Sequence, residues 1–225
     1  MERQRYNLVT AWDPVLRFLH WWNVLFMSVQ VATGAIFMLS GDGLGKGLEA
    51  RLVFIHAASG FFFGAGLFGR ILWLFVGPPS ASWRDILPLT PVQWRSIGET
   101  IRFYLRGFKG ALSPSLSHNA FAGPVYAAFF IIAAVQVASG SVLLGLPDKL
   151  RAKSFSLELH ETGFALILAY AGAHVLAVFI HELIERHAIV AAMIHGRKTF
   201  TEAQTDELVE RYANLNDGGI DERKD

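Results

Sequence analysis

An all-α integral membrane protein, built as a bundle of four transmembrane helices, is the fold class this chain predicts. Three observations predict it. More than half of the 225 residues are hydrophobic (52%) while only 17% are charged. The apolar residues gather into four runs long enough to cross a bilayer, and glycine, proline and charge collect in the gaps between them. Cysteine is absent, which excludes disulfides, thiolate-held iron–sulfur clusters, structural zinc of the usual kind and thioether-attached cofactors. Any metal chemistry must rest on histidine. The net charge of +1 is uninformative in total, and no nucleic-acid partner is expected.

The chain opens with MERQRYNLVTAWDPVLR, polar and basic, before an apolar run from about Phe18 to Leu39. A secretory signal has a shorter apolar core ending at a small-residue cleavage site, so this run reads as the first span. SGDGLGKGLE makes a short connection to a second span, Leu52 to Val76, which GPP closes. After a long polar segment come a third span from about Ala120 to Leu146, the loop PDKLRAKS, and a fourth span from about Leu157 to Ile184.

Lysine and arginine set the orientation. Arg3, Arg5, Arg17, Arg70, Arg84, Arg95, Arg102, Arg106 and Lys109 fall on one side, joined by Arg186, Arg197 and Lys198. Only Lys46, Arg51, Lys149, Arg151 and Lys153 fall on the other. Both termini are therefore expected in the cytoplasm, with the chain a multi-pass protein of the cell inner membrane. In the long middle loop, Trp94, Ile97, Ile101, Tyr104, Leu105 and Phe108 share one helical face, with Arg95, Glu99, Arg102, Arg106 and Lys109 on the remainder. Two readings fit that pattern: an amphipathic helix on the inner leaflet with its cations near anionic headgroups, or a soluble helix covering the end of the bundle.

Histidines carry the chemistry. His160 and His174 are fourteen residues apart in one apolar run, and at about 100° per residue that spacing returns both imidazoles to one face, about 21 Å apart along the axis. His20 lies near the cytoplasmic start of the first span, at the depth of His174; His56 lies just inside the external start of the second span, at the depth of His160. A lone histidine in a membrane helix is commonly an interhelical hydrogen-bonding contact. Two pairs at two depths, each joining different helices, instead suit two stacked haems with bis-histidine ligation. Zinc fits less well, because it takes four close ligands and each pair supplies two. Two imidazoles fill both axial positions of an iron, which suits an electron carrier rather than an oxygen-activating haem.

Gly34 lies fourteen residues after His20 on the same face, and Gly60, Gly64, Gly123, Gly140 and Gly172 are also small residues within the spans. They make room either for porphyrin edges or for close helix packing. Arg51 and Arg70 flank the second span, placed either to meet haem propionates or simply to set topology. Glu161, next to His160, is a candidate for a partner to that ligand. His181, seven residues beyond His174, is a candidate for proton exchange with a quinone, whereas His118, His187 and His195 suit capping or solvated positions.

Several stretches together resemble one family. RFLHWWN with ATG following, RLVFIHAASGFFFGAGLFGRILWLFVG, IRFYLRG before SHNAFAGPVY, LHETG with GAH, and ELIERHAIVAAMIHGRK are similar in order and spacing to the b-type cytochrome subunits of membrane-bound nickel–iron hydrogenases. Those subunits sit within the prokaryotic cytochrome b561 group, which includes the gamma subunit of the respiratory formate dehydrogenase. The likeness implies a dihaem transmembrane domain over 1–199; residues 200–225 fall outside it and read as a polar cytoplasmic tail. It implies two haem b groups, the outer on His56 and His160 and the inner on His20 and His174. Electrons would pass from a periplasmic hydrogenase, or another dehydrogenase, to a quinone near the inner haem, in the neighbourhood of His181, Asn119 and Arg70. Two alternatives remain at this level: a stand-alone cytochrome b561-type oxidoreductase working between quinone and a small oxidant, and a haem-free transporter or assembly protein with buried histidines.

Overall fold

Apolar side chains on every face of a helix leave it no aqueous surface to prefer, and four helices here have that character. The computed structural model describes residues 5–108, 115, 120–185 and 188–217. The chain runs as strand β1 (Tyr6–Thr10), α1 (Pro14–Ser40), α2 (Lys46–Val76), the short α3 (Trp83–Ile86), α4 (Pro91–Leu105), α5 (Ala122–Gly145), the short α6 (Asp148–Arg151), α7 (Phe155–Glu185), α8 (Ile189–His195), strand β2 (Arg197–Thr201) and α9 (Glu202–Asp217). Helices α1, α2, α5 and α7 are each long and apolar enough to cross a membrane. The protein is thus an all-α membrane bundle with, among the described residues, one small strand pair; α1, α2 and α7 run a few residues beyond their apolar runs because polar end residues continue the helix, whereas α5 lies just inside 120–146.

Two compact units divide the chain. The first comprises Pro14–Gly77 and Pro124–Ala177 and is the bundle itself. Its core is narrow: Phe63 and Leu67 from α2 and Ala133 from α5 are buried, with Phe26 and Met27 of α1 and Phe129, Phe130 and Val137 of α5 packed against them. Large residues such as Leu25, Phe54, Phe68, Phe75, Ile131 and Leu176 are each more than half exposed, as lipid contact requires. Helices α1 and α2 come together at Gly66, where an added Cβ would lie 2.3 Å from the Trp22 ring. The same Trp22 donates its indole N–H to the carbonyl of Phe62 at 2.8 Å, so this crossing tolerates no side chain.

The second unit comprises Met1–Asp13, Pro78–Gly123 and Val178–Asp225. Strands β1 and β2 pair antiparallel from Tyr6 opposite Thr201 to Thr10 opposite Arg197. Gly196 makes that pairing reachable. It ends α8 at φ +86°, where its N–H bonds the carbonyl of Ala192 at 2.8 Å, and its own carbonyl accepts from Ala11 and Trp12. Phe200 is fully buried beneath the ribbon, and α9 contributes the buried Leu208. Helix α4 starts with a capping box, in which Thr90 Oγ1 accepts from the Gln93 N–H and Gln93 Oε1 accepts from the Thr90 N–H. Its apolar arc is divided. Ile97, Thr100 and Phe103 are buried, whereas Trp94, Ile101 and Leu105 are exposed.

Candidate functional site

Helix α7 offers its imidazoles at two levels of the bundle. At the upper level, nearer the turn between α1 and α2, His56 and His160 face each other with ring centres 6.0 Å apart and planes at 75°. At the lower level, His20 of α1 and His174 have ring centres 6.4 Å apart at 56°. An imidazole nitrogen bonds a transition metal at about 2 Å and the ring centre lies ~1 Å behind it, so two axial imidazoles on one metal set their centres roughly 6 Å apart. Both pairs have that separation. Among the described residues no group of three or more His, Cys, Asp or Glu gathers to hold a bare ion, so each pair suits a metal that brings its other ligands with it.

The upper level opens on a cavity of about 640 Å³, within the roughly 300–1,000 Å³ of cofactor pockets. Gly34, Gly60 and Gly140 line it with His56, His160 and Phe164. Gly140 leaves room for the His160 ring: a Cβ there would lie 2.9 Å from His160 Cε1. Gly34 faces the Phe164 ring. Elsewhere, the space beside Gly64 is taken by Val137, a packing role, while Gly172 faces open space.

Each upper imidazole is oriented by a buried hydroxyl. Thr33 Oγ1 lies 2.7 Å from His56 Nδ1, and Ser139 Oγ lies 3.1 Å from His160 Nδ1; both hydroxyl residues are about 5% exposed. Gln30 donates to the His56 carbonyl and to Ser59 Oγ, and Gln136 donates to the His160 carbonyl at 3.0 Å. Glu161 lines the cavity, but the Nδ1 partner of His160 is Ser139. Adjacent helix residues diverge by about 100°, which turns Glu161 away from its neighbour's ring. The cation at this level is Arg151, which lines the cavity and is held by Asp148 and by the carbonyls of Leu143 and Leu146. Arg51, at the same end of α2, is exposed.

Aromatic faces define the lower level. Tyr170 stacks on His174 with planes 12° apart, Tyr126 meets it edge-on, and Trp21 meets His20 edge-on. Arg70 is 9% exposed and sits 5.7 Å from the Phe130 ring centre. His181, in the second unit, shares a 2.8 Å hydrogen bond with Tyr104 Oη, and the rings of Phe103, Phe108 and Phe121 surround that tyrosine. His195 is exposed, and its Nδ1 accepts from the Arg197 N–H. His118, Asn119 and His187 lie outside the described residues.

The model of the prokaryotic cytochrome b561 family matches residues 11–196, which takes in all four spans and all four paired histidines. The chain belongs to that family. Several curated members are similar over most of their length. "Probable Ni/Fe-hydrogenase B-type cytochrome subunit" of Azotobacter chroococcum mcd 1 is 22% identical over 90% of this chain and 93% of its own. The Rhodobacter capsulatus protein of the same name is 25% identical over 88% and 84%. "Probable Ni/Fe-hydrogenase 1 B-type cytochrome subunit" of Escherichia coli (strain K12) is 23% identical over 88% and 95%.

As a cytochrome b561 family member the chain is a membrane b-type cytochrome of electron transport, and haem b fits between its paired imidazoles. What the reading of its sequence missed are Gln30, Thr33, Gln136 and Ser139. A signal for them exists: QVATG at 30–34 in α1 recurs as QVASG at 136–140 in α5.

Proposed function

We propose that this chain is the dihaem membrane subunit of a periplasmic nickel–iron hydrogenase, passing electrons from that partner to the quinone pool of the inner membrane, with both termini in the cytoplasm. One observation carries the reading: two histidine pairs, each at the ring separation of a shared axial metal, lie at two levels of one bundle. The names of the similar proteins support the hydrogenase as partner.

His56 and His160 would hold the outer haem, His20 and His174 the inner. Haem b, when bound, would supply one-electron exchange. The protein's part is to set depth, orientation and surroundings. The fourteen-residue spacing on α7 separates the two levels by about 21 Å along the helix axis, bridging most of the bilayer. Arg151 at the outer cavity and Arg70 at the inner pair are the cations suited to propionates. Tyr104 and His181, both in the second unit, form a hydrogen-bonded pair able to hand protons to a reduced quinone. The exposed Trp94, Ile101 and Leu105, with Arg95 and Arg102 on the same helix and Arg106 capping its C-terminus, suit an inner-leaflet lipid surface.

Isolation from native membranes in mild detergent tests the proposal. The expected result is two haem b per chain with hydrogenase subunits travelling alongside. A lone chain that turns over quinone with a small electron partner would select the stand-alone oxidoreductase instead, and fewer than two haems in fully loaded protein would end the dihaem reading.

A further inference from the structure

Within the bundle, the α1–α2 pair and the α5–α7 pair are built to one pattern. In QVATG the glutamine reaches the carbonyl of a histidine on the next span, and the hydroxyl three residues later meets that histidine's Nδ1. QVASG does the same to the other histidine. Each glutamine also lies against a glycine one turn beyond its histidine, Gly60 in one case and Gly163 in the other. An amide, a hydroxyl and a small residue thus recur in the same relation on both sides of one cavity. Core packing alone needs none of the polar atoms, and a buried hydroxyl without bonds is costly in an apolar bundle.

The hydrogen bonds fix the direction of each contact. A hydroxyl has one proton and two lone pairs. Thr33 Oγ1 lies 2.7 Å from the Val29 carbonyl of its own helix, and Ser139 Oγ lies 3.1 Å from that of Gln136. A carbonyl can only accept, so a hydroxyl that gives its proton there has only lone pairs left for the imidazole, and Nδ1 is then the donor; a neutral imidazole that ligates through Nε2 requires the same tautomer. A neutral imidazole with its proton on Nδ1 carries its free lone pair on Nε2.

We infer that Thr33 and Ser139 are positioning residues that hold both upper imidazoles as Nε2 ligands and strengthen them as electron donors to one shared iron. The inference rests on the haem reading proposed above. An accepted Nδ1–H bond makes a ligating imidazole more basic, and a more basic ligand favours ferric over ferrous iron. Because the acceptor is a neutral hydroxyl rather than a carboxylate, the ligand stays a neutral imidazole. The repeat therefore sets the potential of the upper haem from both sides.

Optical redox titration of the purified holoprotein tests this with paired substitutions. Thr33→Val keeps the shape and removes the hydroxyl; Thr33→Ser keeps the hydroxyl and removes the methyl. Thr33→Val and Ser139→Ala should each lower the ferric-to-ferrous ratio of the upper haem roughly tenfold at fixed ambient potential, an upward shift of about 59 mV for one electron. The lower haem should not move, and Thr33→Ser should titrate like wild type. Both haems bound with the upper potential unchanged in Thr33→Val and Ser139→Ala would overturn the inference while leaving the dihaem reading intact. Equal displacement by Thr33→Ser and Thr33→Val would overturn it too, because packing would then be the cause. If Thr33→Val loses the upper haem, full occupancy at wild-type potential in Thr33→Ser supports the hydroxyl. The haem reading fails separately, if wild-type protein binds no haem that His56→Ala removes.

Discussion

At the His56–His160 level the Nδ1 atom of each ring meets a buried hydroxyl, whereas at the His20–His174 level tyrosine stacks on one ring and tryptophan meets the other edge-on, in a bundle that also buries Arg70. Hydrogen bonds are directional, so the first arrangement fixes which nitrogen points at a metal. Aromatic faces fix a ring by shape, and a buried cation acts on whatever charge lies between the rings. Under the proposed function these differences have opposite electronic signs. Donating imidazoles would favour the ferric state above and the Arg70 cation the ferrous state below, two biases that would both assist electron flow from the outer to the inner haem.

Losing a ligand breaks the comparison most severely. His56→Ala or His160→Ala should remove one of two haems, the upper, while His20→Ala or His174→Ala should remove the lower. Haem content and the reduced-minus-oxidised spectrum read both outcomes. Gly140→Ala comes next: its Cβ would press on His160 at 2.9 Å, an overpacking cost of about 1–3 kcal/mol. Reduced occupancy of the upper haem alone is expected, seen as partial loss of one component in the same spectrum. Arg70→Leu acts on the other level. Removing the cation should stabilise ferric iron there by about 1–2 kcal/mol at an effective dielectric near 20, lowering the inner potential in a redox titration and leaving the outer one in place. The smallest spectral change belongs to Tyr104→Phe, which removes only the hydroxyl bonded to His181. Both haem spectra should remain, with quinone reduction by the complex slowed about tenfold or more; an unchanged rate would remove the pair from the proton path.

Much of the architecture is legible in order along the chain. Four apolar runs give four spans because a helix satisfies its own backbone in lipid, and the face shared by His160 and His174 follows from the helical period alone. The ribbon of β1 and β2 is not legible in that way. Its strands are 5 residues each and lie nearly the whole chain apart, so hydropathy carries no trace of their pairing. Helix α4 shows a subtler gap. Its amphipathic pattern is plain, yet which edge of the apolar arc is buried depends on what packs there, and Phe103 is buried while Leu105 is exposed. For the upper cation, α2 alone points to Arg51; the cavity instead includes Arg151, brought there by the turn after α5.

Sequence by itself determined the membrane class, the four spans and the helix face shared by His160 and His174, because hydropathy and helical period act locally along the chain. Tertiary structure alone decided which hydroxyl meets which imidazole, which arginine reaches the cavity and which glycine must stay bare. Those depend on how side chains from separate helices meet in space, to within a few tenths of an ångström, and no local period encodes that meeting.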